Sequence, residues 1–214
     1  MGRRKDVDGR ALLLEAALKL FAAQGVEGVS IRAVNREAGL GPASVHYHFG
    51  TKEALLDAVL HTYGHALIDQ VKERAQEIAD SEAPGTAHDL VTMLAAPYLD
   101  LMESDSDTGR SWVRLISQLL QSDPDRILDR PSAQLTWDAA ARVYPDAAPQ
   151  DLQRAMRMCL ILLVSQLAQG RARRAGVIDL DLLFDFLSAG LDATLGAATP
   201  GLAGRRQERT ARPA

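Results

Sequence analysis

Residues 39–51, GLGPASVHYHFGT, leave room for a helix of at most about eight residues between two glycine breaks. A helix that short does not hold itself in water, so the rest of the chain must clamp it. Proline suits the first helical position, where its fixed φ fits and its missing N–H is not needed, so the spacing predicts a helix from Pro42 through Phe49. Val45 and Phe49 lie one turn apart and form its inward face. Upstream, Asp8 is placed to cap a first helix whose Leu12, Leu13, Ala16, Ala17, Leu20 and Phe21 recur at the spacing of a buried stripe. Gly25 stops it and Val26 closes it. Ser30 then caps a second helix with Ile31, Val34 and Ala38 inward, ended by Gly39. Two short helices across a glycine turn make a helix-turn-helix.

The outward surface of the third helix is left to Pro42, Ala43, Ser44, His46 and Tyr47, with His48 at its margin. Small residues let a helix approach base edges, Ala43 can touch a thymine methyl, and hydroxyl and imidazole groups reach phosphate oxygens. Thr51 caps a fourth helix that begins at Lys52, a cation on the unfavourable end of the helix dipole unless it shares an anion there. Taken singly, Lys52 is also readable as a solvated lysine beside Glu53, and His46 and His48 as scattered surface histidines; it is the assembly that is specific.

Charge divides along the same boundary. Net charge is −4, yet residues 1–52 hold eight Lys/Arg against five acids and the remainder sixteen against twenty-three. A basic head sits on an acidic body. With 47% hydrophobic residues but only 5% aromatic, the 214-residue chain reads as all-α. Cys159 is the only cysteine, which excludes an intrachain disulfide framework and a cysteine-rich zinc site. The charged MGRRKDVDGR start lacks the apolar core of a secretory signal, and the longest apolar run is Cys159 to Val164, so the expected location is cytoplasmic, off the membrane.

The stretch LLEAALKLFAAQGVEGVSIRAVNREAGLGPASVHYHFGTKEALLDAVL resembles the tetracycline-repressor (TetR) family of bacterial transcription regulators. It has the aliphatic first helix with a Phe-x-x-x-Gly stop, the Ser-aliphatic-Arg second helix, the Ala-Gly-aliphatic turn, and the aromatic cluster followed by Phe and Lys. The resemblance implies a double-stranded DNA operator as partner. Ser30 would cap near a phosphate and Arg32 would reach backbone or base. Pro42, Ala43 and Ser44 would face the major groove, His46, Tyr47 and His48 would contact phosphates and bases, and Lys52 would anchor a phosphate. The arm Arg3, Arg4, Lys5 and Arg10 resembles extensions that reach an adjacent groove. His46 stands where the family often has Tyr, and Pro42 where a polar or basic residue is common. Asn35 stands where a small residue is commoner, and is either an extra contact or an exposed amide.

Past Lys52 the helical pattern runs to about Asp80, with further helices expected at about 87–103, 108–121, 124–144, 149–172 and 179–196, and a disordered tail over 197–214. The organisation expected is a DNA-binding head, 1–52, and an effector-binding and dimerisation body, 53–196. The runs MRMCLILLVSQLA and LLFDFLSAGLDATLG are apolar around most of their circumference, more than one domain needs, with small Ser188, Ala189 and Gly190 allowing close approach. In the family the last two helices pair as a four-helix bundle, which implies a homodimer through helices at about 149–172 and 179–196. His61, Tyr63, Leu67, Met93, Tyr98, Trp112, Leu115, Ile116, Trp137 and Tyr144 gather in the middle of the chain. They are either plain core or the lining of a cavity for a small-molecule effector.

Enzyme chemistry finds little footing. His61 and His65 have zinc-compatible i, i+4 spacing, but the run HTYGH lacks the metalloprotease glutamate, and two histidines are too few. Cys159 lies in the most apolar run, and no Gly-x-Ser-x-Gly or phosphate-binding glycine loop occurs. No cofactor, metal or catalytic residue is expected. The rival reading is a helical small-molecule binder without sequence-specific DNA binding, which would have no use for Arg32, Tyr47, His48 and Lys52.

Overall fold

The computed structural model describes residues 2–103, 107–128, 133–169 and 179–196 of the chain, with side chains from residue 9 onward. These residues are helical and joined by turns, with no strand among them.

Helix α1 (Gly2–Gln24) starts six residues before Asp8, so Asp8 lies within the helix and does not cap it. Nothing between Gly2 and Asp8 breaks a helix, and Gly9 is accepted because the helix packs tightly there: a Cβ on Gly9 would lie 3.4 Å from His48 Nε2. The arm side chains of Arg3, Arg4 and Lys5 lie outside the described residues. The buried face of α1 is wider than one stripe. Leu13, Ala16, Ala17 and Phe21 are buried as expected, but so is a second row of Leu14, Leu18 and Ala22, while Leu12 is exposed and Leu20 half-buried. The second row exists because α1 also meets the body, where Gln118 Nε2 donates to the Ala22 carbonyl at 3.0 Å.

Helix α2 (Ile31–Glu37) is capped by Ser30, whose hydroxyl accepts from Ala33 N at 3.2 Å. Gly39 follows at φ +67, a conformation that only glycine adopts without strain, and turns the chain toward the third helix. Helix α3 (Ser44–Phe49) begins two residues later than expected. Pro42 and Ala43 form a turn, with Ser44 N donating to the Gly41 carbonyl, because the Pro42 carbonyl is drawn off by Asn35. Val45 is fully buried and Phe49 half-buried. Gly50, at φ +79, reverses the chain into α4 (Lys52–Asp80), capped by Thr51 Oγ1 accepting from Ala54 N.

At 29 residues, α4 is about 44 Å long and runs from head to body. Helices α5 (Ala87–Glu103) and α6 (Asp107–Ser122) match their expected spans closely. The expected single helix at 124–144 is instead α7 (Asp125–Leu128) and α8 (Gln134–Val143), with residues 129–132 outside the described set. Helix α9 (Pro149–Ala168) starts on proline, as a first helical turn allows. Its expected extension to 172 reaches into residues 170–178, outside the described set, as does the tail 197–214. Helix α10 (Leu180–Leu191) is capped by Asp179 and runs into a π-helical turn, Asp192–Gly196. Tyr144 holds that turn by donating to Asp192 Oδ1 at 2.8 Å.

Candidate nucleic-acid interface and cavity

Helix α3 is pinned from inside by a residue of another helix. Asn35 on α2 is only 2% exposed, although it is a polar residue. Its Nδ2 donates to the Pro42 carbonyl at 2.7 Å and its Oδ1 accepts from Val45 N at 3.0 Å. The second bond satisfies a first-turn N–H that α3 has no side-chain cap of its own to meet. With Val45 buried beneath it, the short helix is held at both ends of its first turn.

The other face is left to solvent. Tyr47 is 75% exposed, and its ring is braced edge-on by His48, with centroids 4.9 Å apart. His48 is half-buried against Gly9 of α1. His46 is exposed and its Nδ1 bonds the Gly50 carbonyl at 2.9 Å, so the opposite ring nitrogen is the one left for an outside partner. Pro42 and Ala43 are exposed and Ser44 half-exposed. Arg10 lies over the Phe49 ring at 5.2 Å, which places one cation of the basic arm beside α3. Around this surface Ser30, Arg32 and Arg36 are exposed and Lys52 is partly so. Lys19 is paired with Glu37, but Arg32, Arg36 and Lys52 have no ion pair among the described residues.

An apolar cavity of about 110 Å³ lies in the body, bordered by α4, α5, α6, α7, α8 and α9. Five of the ten mid-chain residues singled out above line it: Leu67, Tyr98, Trp112, Ile116 and Trp137. The other five do not. Met93 and Leu115 are buried in helix packing, and Tyr144 is bonded to Asp192. Tyr63 sits near Glu15 of α1, and burial, then that carboxylate, raises its pKa. His61 is exposed and stacks in parallel on His65, with centroids 6.2 Å apart. Leu60, Ile68 and Val71 complete the α4 wall with Leu67, and Thr136, Met156 and Leu160 are among the remaining lining residues. The α4 set lies on one helical stripe, a pattern readable in the sequence; which stripe meets a void is not.

Two features tie the cavity to the rest. A Cβ on Gly64 would come within 2.5 Å of Trp112 Cζ2, so the glycine in the middle of α4 is the seat of the Trp112 ring. Arg126, next to the lining residues Ile127 and Leu128, bonds Asp57 in the second turn of α4 at 2.9 Å. Burial also raises the pKa of Tyr98, and pushes the Cys159 thiol up to about 12. Among the described residues no group of three or more His, Cys, Asp or Glu could hold a metal, and no helix is long and apolar enough to cross a membrane.

Residues 13–59, from the middle of α1 into α4, match the family model described as bacterial regulatory proteins, tetR family. The head is that of the TetR family. The regulator BetI of Rhizobium meliloti (strain 1021) is 29% identical over 119 residues, 56% of this chain and 56% of its own. The chain thus spans about half the length of the BetI relatives it matches. An HTH-type transcriptional repressor of Mycobacterium tuberculosis (strain ATCC 25618 / H37Rv) is 26% identical over 184 residues, covering 80% of this chain and 89% of the relative. The solved SmeT–triclosan complex shares the fold at a TM-score of 0.53 and 19% identity, over 85% of this chain and 90% of that one. The TetR-family match ends near Val59, so the cavity lies outside it and is carried by the fold alone.

Proposed function

We propose that the chain is a ligand-responsive transcriptional regulator, a repressor, that binds a palindromic operator as a homodimer through α3 and is released by a small molecule. The observation that carries this is the split personality of α3. One side is locked by Asn35 and Val45, and the other offers an aromatic residue, Tyr47, at 75% exposure beside cations without ion pairs. A tyrosine held out from a rigid helix beside cations without ion pairs suits a major groove flanked by phosphates. In this reading Pro42, Ala43 and Ser44 approach base edges. Tyr47 and His46 reach phosphates and neighbouring bases, with His48 bracing Tyr47. Arg32, Lys52 and the α2 N-terminus at Ser30 hold the backbone.

The dimer is supported by apolar side chains left uncovered on the last two helices. Met158 and Leu162 on α9, and Leu182 and Phe186 on α10, form i, i+4 pairs, with Leu182 and Phe186 each 66% exposed. Such rows fit a two-fold interface, and two heads on a dyad read a palindrome. The effector is assigned to the cavity, and a neighbour of the same fold solved with triclosan is consistent with that. The mechanism is linkage: α4 carries Lys52 at one end and four lining residues further along, so a ligand that favours one setting of α4 shifts the separation of the two heads.

Lys52→Ala and Tyr47→Ala test the interface. Each is expected to weaken DNA binding at least tenfold while leaving the unfolding midpoint and oligomer size unchanged, and the logarithm of affinity is expected to fall steeply with the logarithm of salt. Normal DNA binding by both variants would refute the assignment.

A further inference from the structure

Resting on the proposed interface between α3 and an operator, we infer that His46 is a specificity-determining residue. Its Nε2 accepts a hydrogen bond from the exocyclic amino group of an adenine or cytosine in the major groove, and it discriminates against the keto oxygens of guanine and thymine.

The polarity of the ring follows from one bond. His46 Nδ1 lies 2.9 Å from the Gly50 carbonyl oxygen, which can only accept, so Nδ1 carries the proton and donates. In a neutral imidazole the other nitrogen is then a bare acceptor. No carboxylate pairs with the ring among the described residues, so nothing in the fold calls for a second proton on it. Nε2 itself makes no hydrogen bond among the described residues, and the side chain is exposed.

Position decides what this acceptor meets. His46 follows Ala43 by three residues and shares its side of the helix, while Val45 is buried beneath. Pro42 and Ala43 are exposed and short, so His46 and Tyr47 are the first long side chains on the face that approaches base edges. The bond to Gly50, at the reversal into α4, holds the ring in one orientation, which leaves little rotamer freedom to lose on binding. A phosphate oxygen offers no proton to a bare lone pair, so the neutral ring has no bond to make with the DNA backbone. Within the major groove adenine N6 and cytosine N4 are donors, whereas guanine O6 and thymine O4 are acceptors. Against either keto group, two lone pairs stripped of water would oppose each other. Each base pair joins one amino base to one keto base, so this preference fixes which strand carries which.

The test is selection of duplexes from a random library by the full chain and by His46→Ala, at about pH 8, where an imidazole is neutral. Wild type is expected to enrich A or C over G or T on one strand at one position of each half-site, and His46→Ala to relax that position alone. Replacing the amino group there with hydrogen, as purine for adenine, is expected to weaken wild-type binding about three- to tenfold and to leave His46→Ala unchanged. His46→Phe, which keeps a ring without an acceptor, is expected to match His46→Ala. The slope of log affinity against log salt is expected to be the same in wild type and His46→Ala, since no phosphate contact is removed. Preference for G or T at the relaxed position, or a salt slope shallower by about one in His46→Ala, would make the ring a donor and overturn the inference while leaving the α3 interface in place. A palindrome enriched identically by both proteins would overturn it in the same way. Should neither variant fold, an amino-to-hydrogen scan of the wild-type site that costs no affinity at any position would overturn it. Enrichment of no sequence by wild type would remove the interface itself, and the inference with it.

Discussion

Asn35 makes its two bonds to a turn and a helix start seven and ten residues further along, and it is the side chain on which the shape of the exposed α3 surface depends. Replacing it with alanine leaves the Val45 N–H buried and unpaired, while the exposed Pro42 carbonyl can turn to water. Asn35→Ala is therefore expected to lower stability by about 1–3 kcal/mol in urea denaturation and to abolish operator binding even where the protein remains folded. A loss under about 0.5 kcal/mol would show that α3 is held by Val45 alone. Sequence reasoning left Asn35 open between a contact and an exposed amide because helix propensity treats an interior asparagine almost neutrally. Its role comes from a meeting of two segments, which no local pattern encodes. The exposed Tyr47 and the caps Ser30 and Thr51 were legible, since a cap or an outward position is set within one turn.

Among the elements, α4 runs from Lys52 beside α3 to the wall of the cavity. Its span from Lys52 to Asp80 was readable from a cap at one end and a Ser-Glu-Ala-Pro-Gly break at the other. Its midpoint glycine was visible but unexplained until Trp112 was seen lying on it. In Gly64→Ala the added methyl would drive the indole away from α4 and across the cavity it borders. Overpacking of about 1–3 kcal/mol is set against about 1 kcal/mol of improved helix propensity, so a net loss of up to about 2 kcal/mol is expected. The sharper readout is uptake by the cavity: affinity for a small apolar probe such as ethylbenzene should fall at least tenfold. A Gly64→Ala protein that is more stable and binds as before would mean that the ring has room elsewhere. The division of the expected 124–144 helix into α7 and α8 was not legible, because the helical spacing of its apolar residues does not mark where a helix is interrupted. The same limit explains why half of the mid-chain aromatic and aliphatic group proved to be packing: periodicity says which residues face inward, not whether they face a neighbour or a void.

At the scale of the whole molecule, buried titratable groups set an alkaline limit. The Cys159 thiol, pushed up to about 12 by burial, keeps its proton in the folded chain, while the unfolded thiol ionises near about 8.5. Tyr98, through burial, and Tyr144, through burial and then its bond to Asp192, shift the same way. The folded state thus binds more protons, and its stability is full below about pH 8.5 and lost as pH rises towards 12, at up to about 1.4 kcal/mol per pH unit for each group. Urea midpoints should be level from about pH 7 to 8 and lower by pH 10, with Cys159→Ala flattening the first part of that decline. A midpoint that rises with pH would contradict the burial of these groups. The two ends of the molecule were unequally legible: the head carries a spaced signature of glycines, caps and aromatics, whereas the body shows only apolar helices, whose pattern does not say what each face packs against.

Two locked α3 helices on one proposed dimer are expected to read a symmetric site. Selection of bound duplexes from a random DNA library by the purified full chain, at physiological salt where non-specific binding is weak, tests it most directly. Enrichment of a palindrome with half-sites about one helical turn apart or a multiple of that is expected, and its loss in Tyr47→Ala. Enrichment of a single unrepeated half-site would contradict the dimer, and no enrichment above background would contradict the role given to α3.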